Sequence, residues 1–243
     1  MPKLYIVGIG PGNFENMTHR AAAVLRESDV IAGYTVYVDL VRGAFPDKTF
    51  YATGMRRETE RVEEALRMAQ EGKTVSLVCS GDGGVYGMSG LAEEMSVNYP
   101  DVSVETIPGV SAMLSGAAIL GAPLMHDFAV ISLSDLLTPW EKIEKRLRAA
   151  AEADFVICLY NPASRSRKDY LARACDIVLA YARPDTVCGI ARKIGREGES
   201  ADVMTLAELR DAEADMFCTV FIGNSNTKNI GGRMVTPRGY RYE

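Results

Sequence analysis

The strongest constraint on this chain is a recurring unit: an apolar run, a break into glycines, then a stretch with helical spacing. LYIVGIG is apolar throughout and enters Gly8-Ile9-Gly10-Pro11-Gly12, and TVSLVCSGD breaks into Gly81, Asp82, Gly83 and Gly84. Runs without a polar face predict strands buried on both sides, as in a parallel sheet covered by helices. A helix is expected from about Thr18 to Glu27. Another, in ETERVEEALRMAQEGK, ends at the C-capping Gly72. VSVETIPGV followed by SAMLSGAAILG repeats the strand–helix order.

A second alternating set follows the break at Gly121-Ala122-Pro123. FAVISL, DFVICLYN, TVCGIAR and MFCTVFIGN read as strands. PWEKIEKRLRAAAEA, RKDYLARACDIVLAYA and TLAELRDA read as helices. The pattern therefore predicts an α/β protein of two α/β domains, residues 1–121 and 122–243, each of ordinary domain size. No internal repeat or low-complexity segment interrupts it.

Composition narrows the function. A formal net charge of −5 argues against general nucleic-acid binding, which favours a basic face. A small anionic substrate stays compatible, because a few local arginines can outweigh a weakly acidic surface. No apolar run nears the ~18 residues of a membrane span, and the N-terminal MPKLYIVGIG has no signal-peptide pattern. A cytoplasmic protein is the expectation. The five cysteines form no CxxC pair and have no histidine at metal-ligand spacing, so they read as buried, reduced thiols and no metal site is expected.

Three segments at strand ends carry the chemistry. Gly8–Gly12 is either a tight turn or a ligand loop, and it lacks the third glycine of a dinucleotide-binding GxGxxG. Ser80-Gly81-Asp82-Gly83-Gly84-Val85-Tyr86-Gly87 offers four glycines and one carboxylate where open α/β sheets bind ligands. Asp82 is either an acceptor for a ribose hydroxyl or amine, or the cap of the next turn. Ser111, in Pro108-Gly109-Val110-Ser111-Ala112, is either an N-cap or part of the frame around a ligand. Further on, HDFAVISLSDLLTPW (126–140) and Tyr160-Asn161-Pro162, with Arg165 and Arg167 after it, place polar groups beside strands.

GIGPG at 8–12, GDGGVYGM at 81–88 and PGVSAM at 108–113 resemble, in order, the motifs of the tetrapyrrole methyltransferase family. LGAPLMHDFAVISLSDLLTPW (120–140), EADFVICLYNPASRSR (152–167) and MVTPRGYRY (234–242) are similar to its precorrin-3B C17-methyltransferase branch, which also contracts the macrocycle. The resemblance spans essentially the whole chain. It implies the tetrapyrrole methylase fold, with S-adenosylmethionine bound between two α/β domains and released as S-adenosylhomocysteine. It also implies a tetrapyrrole substrate and a homodimer. Carried over residue by residue, it puts Pro11, Ser80, Gly81, Asp82, Val85, Ser111 and Ala112 at the cofactor, with Tyr160, Asn161 and Ala191 from the second domain. The family often has proline after the motif aspartate, where this chain has Gly83, which implies a more flexible loop. Met125 and Leu136-Leu137-Thr138 look closer to the cobalt-dependent, anaerobic branch, in which cobalt arrives inside the substrate.

Methyl transfer from a sulfonium to an electron-rich carbon needs mainly alignment and exclusion of water. Substrate carboxylates need donors, for which Arg56, Arg57, Arg165, Arg167 and Lys168 are available unless they are solvated loop residues. Ring contraction calls for proton transfers. His126, beside Asp127, and Asp135 are its candidate catalytic groups, with a structural histidine as the alternative for His126. Three rival readings differ in what binds. A nicotinamide-dependent oxidoreductase needs a better-formed glycine loop, a tetrapyrrole carrier has no use for three such loops, and a methyltransferase for another ring carbon has the same motifs.

Overall fold

The computed structural model describes residues 2–164 and 167–241. The chain falls into two compact units, Met1–Ala112 and Met113–Glu243. The division lies ahead of the Gly121-Ala122-Pro123 break, because the small-residue helix before that break packs on the second sheet.

The first unit runs β1 (Lys3–Gly8), α1 (His19–Glu27), β2 (Val30–Tyr34), α2 (Thr35–Arg42), β3 (Thr49–Thr53), α3 (Glu58–Gln70), β4 (Thr74–Cys79), α4 (Ser89–Ser96) and β5 (Ser103–Ile107). Its five strands are all parallel, in the order β3-β2-β4-β1-β5. Apolar residues alternate between two cores, as the period of a strand requires. Tyr5, Val7 and Ile31 meet Ala21, Val24, Leu25, Val38 and Val41 of α1 and α2. Leu4, Ile6, Ala32 and Leu77 meet Val62, Leu66, Ala69 and Ala92 of α3 and α4. The connection after β1 thus covers one face and the connection after β4 the other. Neighbouring strands that send their chains to opposite faces define a topological switch point at their carboxyl ends. Local signals agree with these bounds: Thr18 accepts the Ala21 N–H and caps α1, and Gly72 takes φ 95° just past α3.

The second unit runs α5 (Ala112–Leu120), β6 (Gly121–Ala122), β7 (Phe128–Ser132), α6 (Trp140–Glu152), β8 (Val156–Tyr160), α7 (Tyr170–Val178), β9 (Val187–Arg192), β10 (Ser200–Thr205), α8 (Leu206–Arg210), β11 (Cys218–Ile222), β12 (Lys228–Ile230) and β13 (Arg233–Val235). Its main sheet, β10-β9-β11-β8-β7, is mixed: only β7 and β8 pair in parallel. The helices α6, α7 and α8 cover one face through Ile143, Leu147, Leu171, Ala174, Leu206 and Leu209. On the opposite face lies α5. A Cβ on its Gly116 would stand 3.0 Å from the Phe221 ring, and Leu120 fills the place a Cβ on Gly189 would take, at 2.7 Å. The small residues of SAMLSGAAILG are therefore a close-packing surface. The segment near the C-terminus returns to this helix's end: Met234 and Val235 of β13 pair with Gly121 and Ala122 in a separate three-stranded sheet with β12.

Candidate functional site

At the switch point of the first unit the three glycine loops clasp one another through their main chains. Ile9 N–H donates to Cys79 O at 2.9 Å, Gly10 N–H to Gly81 O at 3.0 Å, and Gly81 N–H to Gly10 O at 2.7 Å. A Cβ on Gly8 would stand 2.6 Å from Gly109 N, and one on Gly109 would stand 2.1 Å from Gly81 O. These glycines let three backbones touch. Gly10 and Gly81 also take φ of 77° and 68°, which an L side chain rarely tolerates.

Asp82 ties the clasp together. Its Oδ1 accepts the Gly84 N–H at 2.8 Å and its Oδ2 the Gly109 N–H at 2.9 Å. One oxygen serves its own turn and the other the loop after β5, so the capping and ligand-binding alternatives are not exclusive: a carboxylate oxygen that accepts one N–H can accept a second donor. Pro11, Gly81 and Ser111 are buried; Ser80, Asp82, Val85 and Ala112 are half-buried. All seven belong to loops that meet at the switch point, or to the residue that starts α5. The glycine after Asp82 has a packing reason: a Cβ on Gly83 would press to 2.9 Å from Ser89 Oγ and 3.1 Å from Ile6 Cγ2. The loop is therefore not loose there. Tyr86 holds φ 54° with an exposed ring, a strained conformation of the kind that clusters at binding loops.

In the second unit the corresponding strand ends are built from side chains. Tyr160 closes β8, and its hydroxyl accepts the Met113 N–H in the first turn of α5 at 2.9 Å. Asn161 follows at φ 52°, a conformation asparagine tolerates better than most residues, and its Nδ2 donates to Ser132 Oγ at 2.9 Å. Arg167 is anchored on three acceptors: Ser134 Oγ (2.8 Å) and Asp135 Oδ1 (3.2 Å) from Nη1, and Ser164 Oγ (3.1 Å) from Nε. Tyr170 donates to Asp135 Oδ2 at 2.6 Å. That bond first, then Arg167, holds the Asp135 carboxyl below the usual carboxylate range, so it is an anion at neutral pH. Ala191, buried in β9, alternates with Cys188 and Ile190 and so shares with Gly189 the face that α5 covers.

The two candidate groups for ring contraction do not meet. His126 is exposed just before β7 begins, and Asp135 follows the strand's other end. Five strand residues separate by roughly 17 Å. Among the candidate carboxylate-binding cations, Arg57 is exposed and paired with Glu60, Arg56 and Lys168 are exposed, Arg167 is held as above, and Arg165 lies outside the described residues. Sequence reasoning missed Arg61, which is 4% exposed. The signal was present: Arg61 shares the stripe of α3 that carries Ala65, Met68 and Ala69, where a charge is out of place.

The cysteines are all free and buried. Burial pushes the thiols of Cys79 and Cys218 up to about 11 and that of Cys175 up to about 12, so they are protonated at neutral pH. Among the described residues no helix is long and apolar enough to cross a membrane.

Residues 3–210 match the family described as tetrapyrrole (corrin/porphyrin) methylases. A Salmonella typhimurium protein named probable cobalt-factor III C(17)-methyltransferase is 48% identical over 238 residues, covering 98% of this chain and 99% of the relative. The cobalt-factor III methyltransferase of Priestia megaterium is 46% identical over 98% of this chain, but the chain spans only 45% of that longer relative. The crystal structure of the methyltransferase CobJ superposes with a TM-score of 0.90 at 37% identity, covering 98% of this chain and 100% of that one.

Proposed function

This chain belongs to the tetrapyrrole (corrin/porphyrin) methylase family, and from that premise we propose that it uses S-adenosylmethionine to methylate C17 of cobalt-factor III or precorrin-3B. The same reaction contracts the macrocycle and gives the (cobalt-)precorrin-4 stage of cobalamin biosynthesis. The observation that carries this reading is the 48% identity running the length of both this chain and the Salmonella relative. That relative's name, with Met125 and Leu136-Leu137-Thr138, favours the cobalt-containing substrate of the anaerobic branch. Cobalt then enters only as part of the substrate.

When bound, S-adenosylmethionine supplies a methyl group activated by its sulfonium. The chain's task is to hold that group in line with a ring carbon and keep water out. Pro11, Ser80, Gly81, Asp82 and Val85, with Ser111 and Ala112, are the proposed cofactor residues of the first unit, and Tyr160, Asn161 and Ala191 those of the second. The donor set fits. Asp82 has lone pairs left for a hydroxyl or amine, and loops clasped main chain to main chain offer a rigid surface that side-chain motion cannot blur. Asp135 is held as an anion by Tyr170 and Arg167, so its proposed part in contraction is to position Arg167 or accept a proton, not to donate one. His126, exposed and at the other end of β7, is a separate hypothesis for acid–base work. If His126→Ala and Asp135→Asn each release contracted product at the wild-type rate, neither residue serves the contraction.

The protein is proposed to act in the cytoplasm, where its five unpaired cysteines suit a reducing milieu. By family resemblance it is proposed to be a homodimer, which light scattering would show as twice the 26.5 kDa chain mass. The decisive experiment is incubation with S-adenosylmethionine and cobalt-factor III, followed by mass spectrometry and NMR of the product. A methyl at C17 in a contracted ring is expected. A methyl on another carbon would reassign the regiochemistry, and no methyl gain, with tight NADH binding in calorimetry, would overturn the reading in favour of an oxidoreductase.

A further inference from the structure

Among the described residues, Arg61 is the only charged side chain in the buried interior, and it has no anionic partner there. Its Nε donates to Thr53 Oγ1 and its Nη2 to Gly54 O, both at 2.8 Å. Both acceptors are neutral. The face of Tyr34 lies 5.9 Å from its guanidinium carbon, and Tyr34 meets Tyr37 edge-on at 5.2 Å. A guanidinium removed from water without a counter-charge is costly, and neutral acceptors offset only part of that cost. Such an arrangement makes sense when the missing anion arrives with a ligand.

The location agrees. Thr53 and Tyr34 are the last residues of β3 and β2, and Arg61 sits in the first turn of α3, so the group lies at the carboxyl edge of the parallel sheet. The same edge carries the glycine loops, with β4 between β2 and β1. Strand spacings of about 4.8 Å put β3 roughly 14 Å from β1, the reach of a large ligand lying across the edge. Two of the three guanidinium nitrogens are committed. Among the described residues Nη1 has no acceptor, yet no side-chain nitrogen or oxygen wholly closed off from solvent lacks a partner. Nη1 therefore opens onto reachable space.

We propose that Arg61 is a carboxylate anchor of the substrate site, its Nη1 edge receiving a ligand carboxylate beside the Tyr34–Tyr37 pair. This rests on the methyltransferase reading, which supplies two sources of that chemistry: the acid side chains of the macrocycle and the amino-acid end of the cofactor. Arg57, four residues earlier, cannot take the role while paired with Glu60.

The test measures dissociation constants of cobalt-factor III, S-adenosylhomocysteine and 5′-methylthioadenosine for the wild type, Arg61→Met and Arg61→Lys. A charge-assisted hydrogen bond lost from Arg61→Met is expected to weaken one carboxylate ligand by about 10- to 100-fold, with partial recovery in Arg61→Lys. Weakened cobalt-factor III with unchanged S-adenosylhomocysteine identifies the macrocycle as the source. Weakened S-adenosylhomocysteine with unchanged 5′-methylthioadenosine identifies the cofactor. Affinities all within twofold of wild type overturn the proposal and leave Arg61 a cross-link from α3 to the end of β3. The proposal is equally overturned if Thr53→Val, which removes the anchor's support but not the charge, reproduces the full loss. Should Arg61→Met not fold, the Arg61 Nε–H resonance of the wild type decides: it shifts on adding the carboxylate ligand, or the proposal fails. Wild-type protein that binds S-adenosylhomocysteine while Arg61→Met matches it throughout sinks this anchor alone. Wild-type protein that binds no S-adenosylhomocysteine sinks the methyltransferase reading instead.

Discussion

The two units hold their strand-end loops by different means. In the first, Gly8, Gly81 and Gly109 bring three main chains into contact, and Asp82 bonds to two backbone N–H groups. In the second, Ser132, Ser134, Asn161, Arg167 and Asp135 join their loops side chain to side chain. A backbone clasp has no smaller version of itself: an atom added at Gly8 or Gly109 must displace a peptide. A side-chain network can lose one member and keep the rest. The first arrangement should therefore fail abruptly under substitution, and the second by degrees.

Gly109→Ala puts the greatest strain on that contrast. The new Cβ meets Gly81 O at 2.1 Å, so a loss of at least about 3 kcal/mol in urea unfolding is expected, together with loss of S-adenosylhomocysteine binding. A variant of near wild-type stability would show that the loops are free to part. Arg167→Ala, in the second unit, should cost about 1–2 kcal/mol, because its acceptors are half-buried and water can replace the lost donor. A loss equal to that of Gly109→Ala would erase the distinction. Tyr160→Phe removes the hydroxyl that accepts the Met113 N–H and should cost about 1 kcal/mol. The smallest effect is a pH dependence. The folded pKa of Asp135 is lowered, with the Tyr170 bond the first cause, so its contribution is complete above the unfolded carboxylate value and fades as pH falls through the folded one. The stability gap between wild type and Asp135→Asn should be constant from pH 8 to 5 and narrow at pH 3. Urea titrations at those pH values would expose a gap that fails to narrow.

Much of the first unit was legible because its signals are local. Unbroken apolar runs announce strands covered on both faces, and Thr18 and Gly72 mark helix ends by their own backbone preferences. The second unit was legible only in part. Its strands show the right apolar residues, but nothing in TVCGIAR or MFCTVFIGN says that β11 runs antiparallel to both of its neighbours. The exposed edge strand β10 was not legible, because SADVMT takes its strand character from pairing with β9.

Among the cations, exposure in sequence was a poor guide: Arg56 and Arg57 sit in a polar stretch, while Arg61 was hidden in a helix pattern. The sequence by itself determined the alternation of elements, the glycine-rich strand ends and the family, since each rests on residue types and their order along the chain. Only the tertiary structure decided that Gly8 and Gly109 need each other, that Asp135 is bound as an anion away from His126, and that Arg61 is buried without a counter-charge. Each of those facts is a distance between residues or the solvent around one, and neither is written in the order of the amino acids.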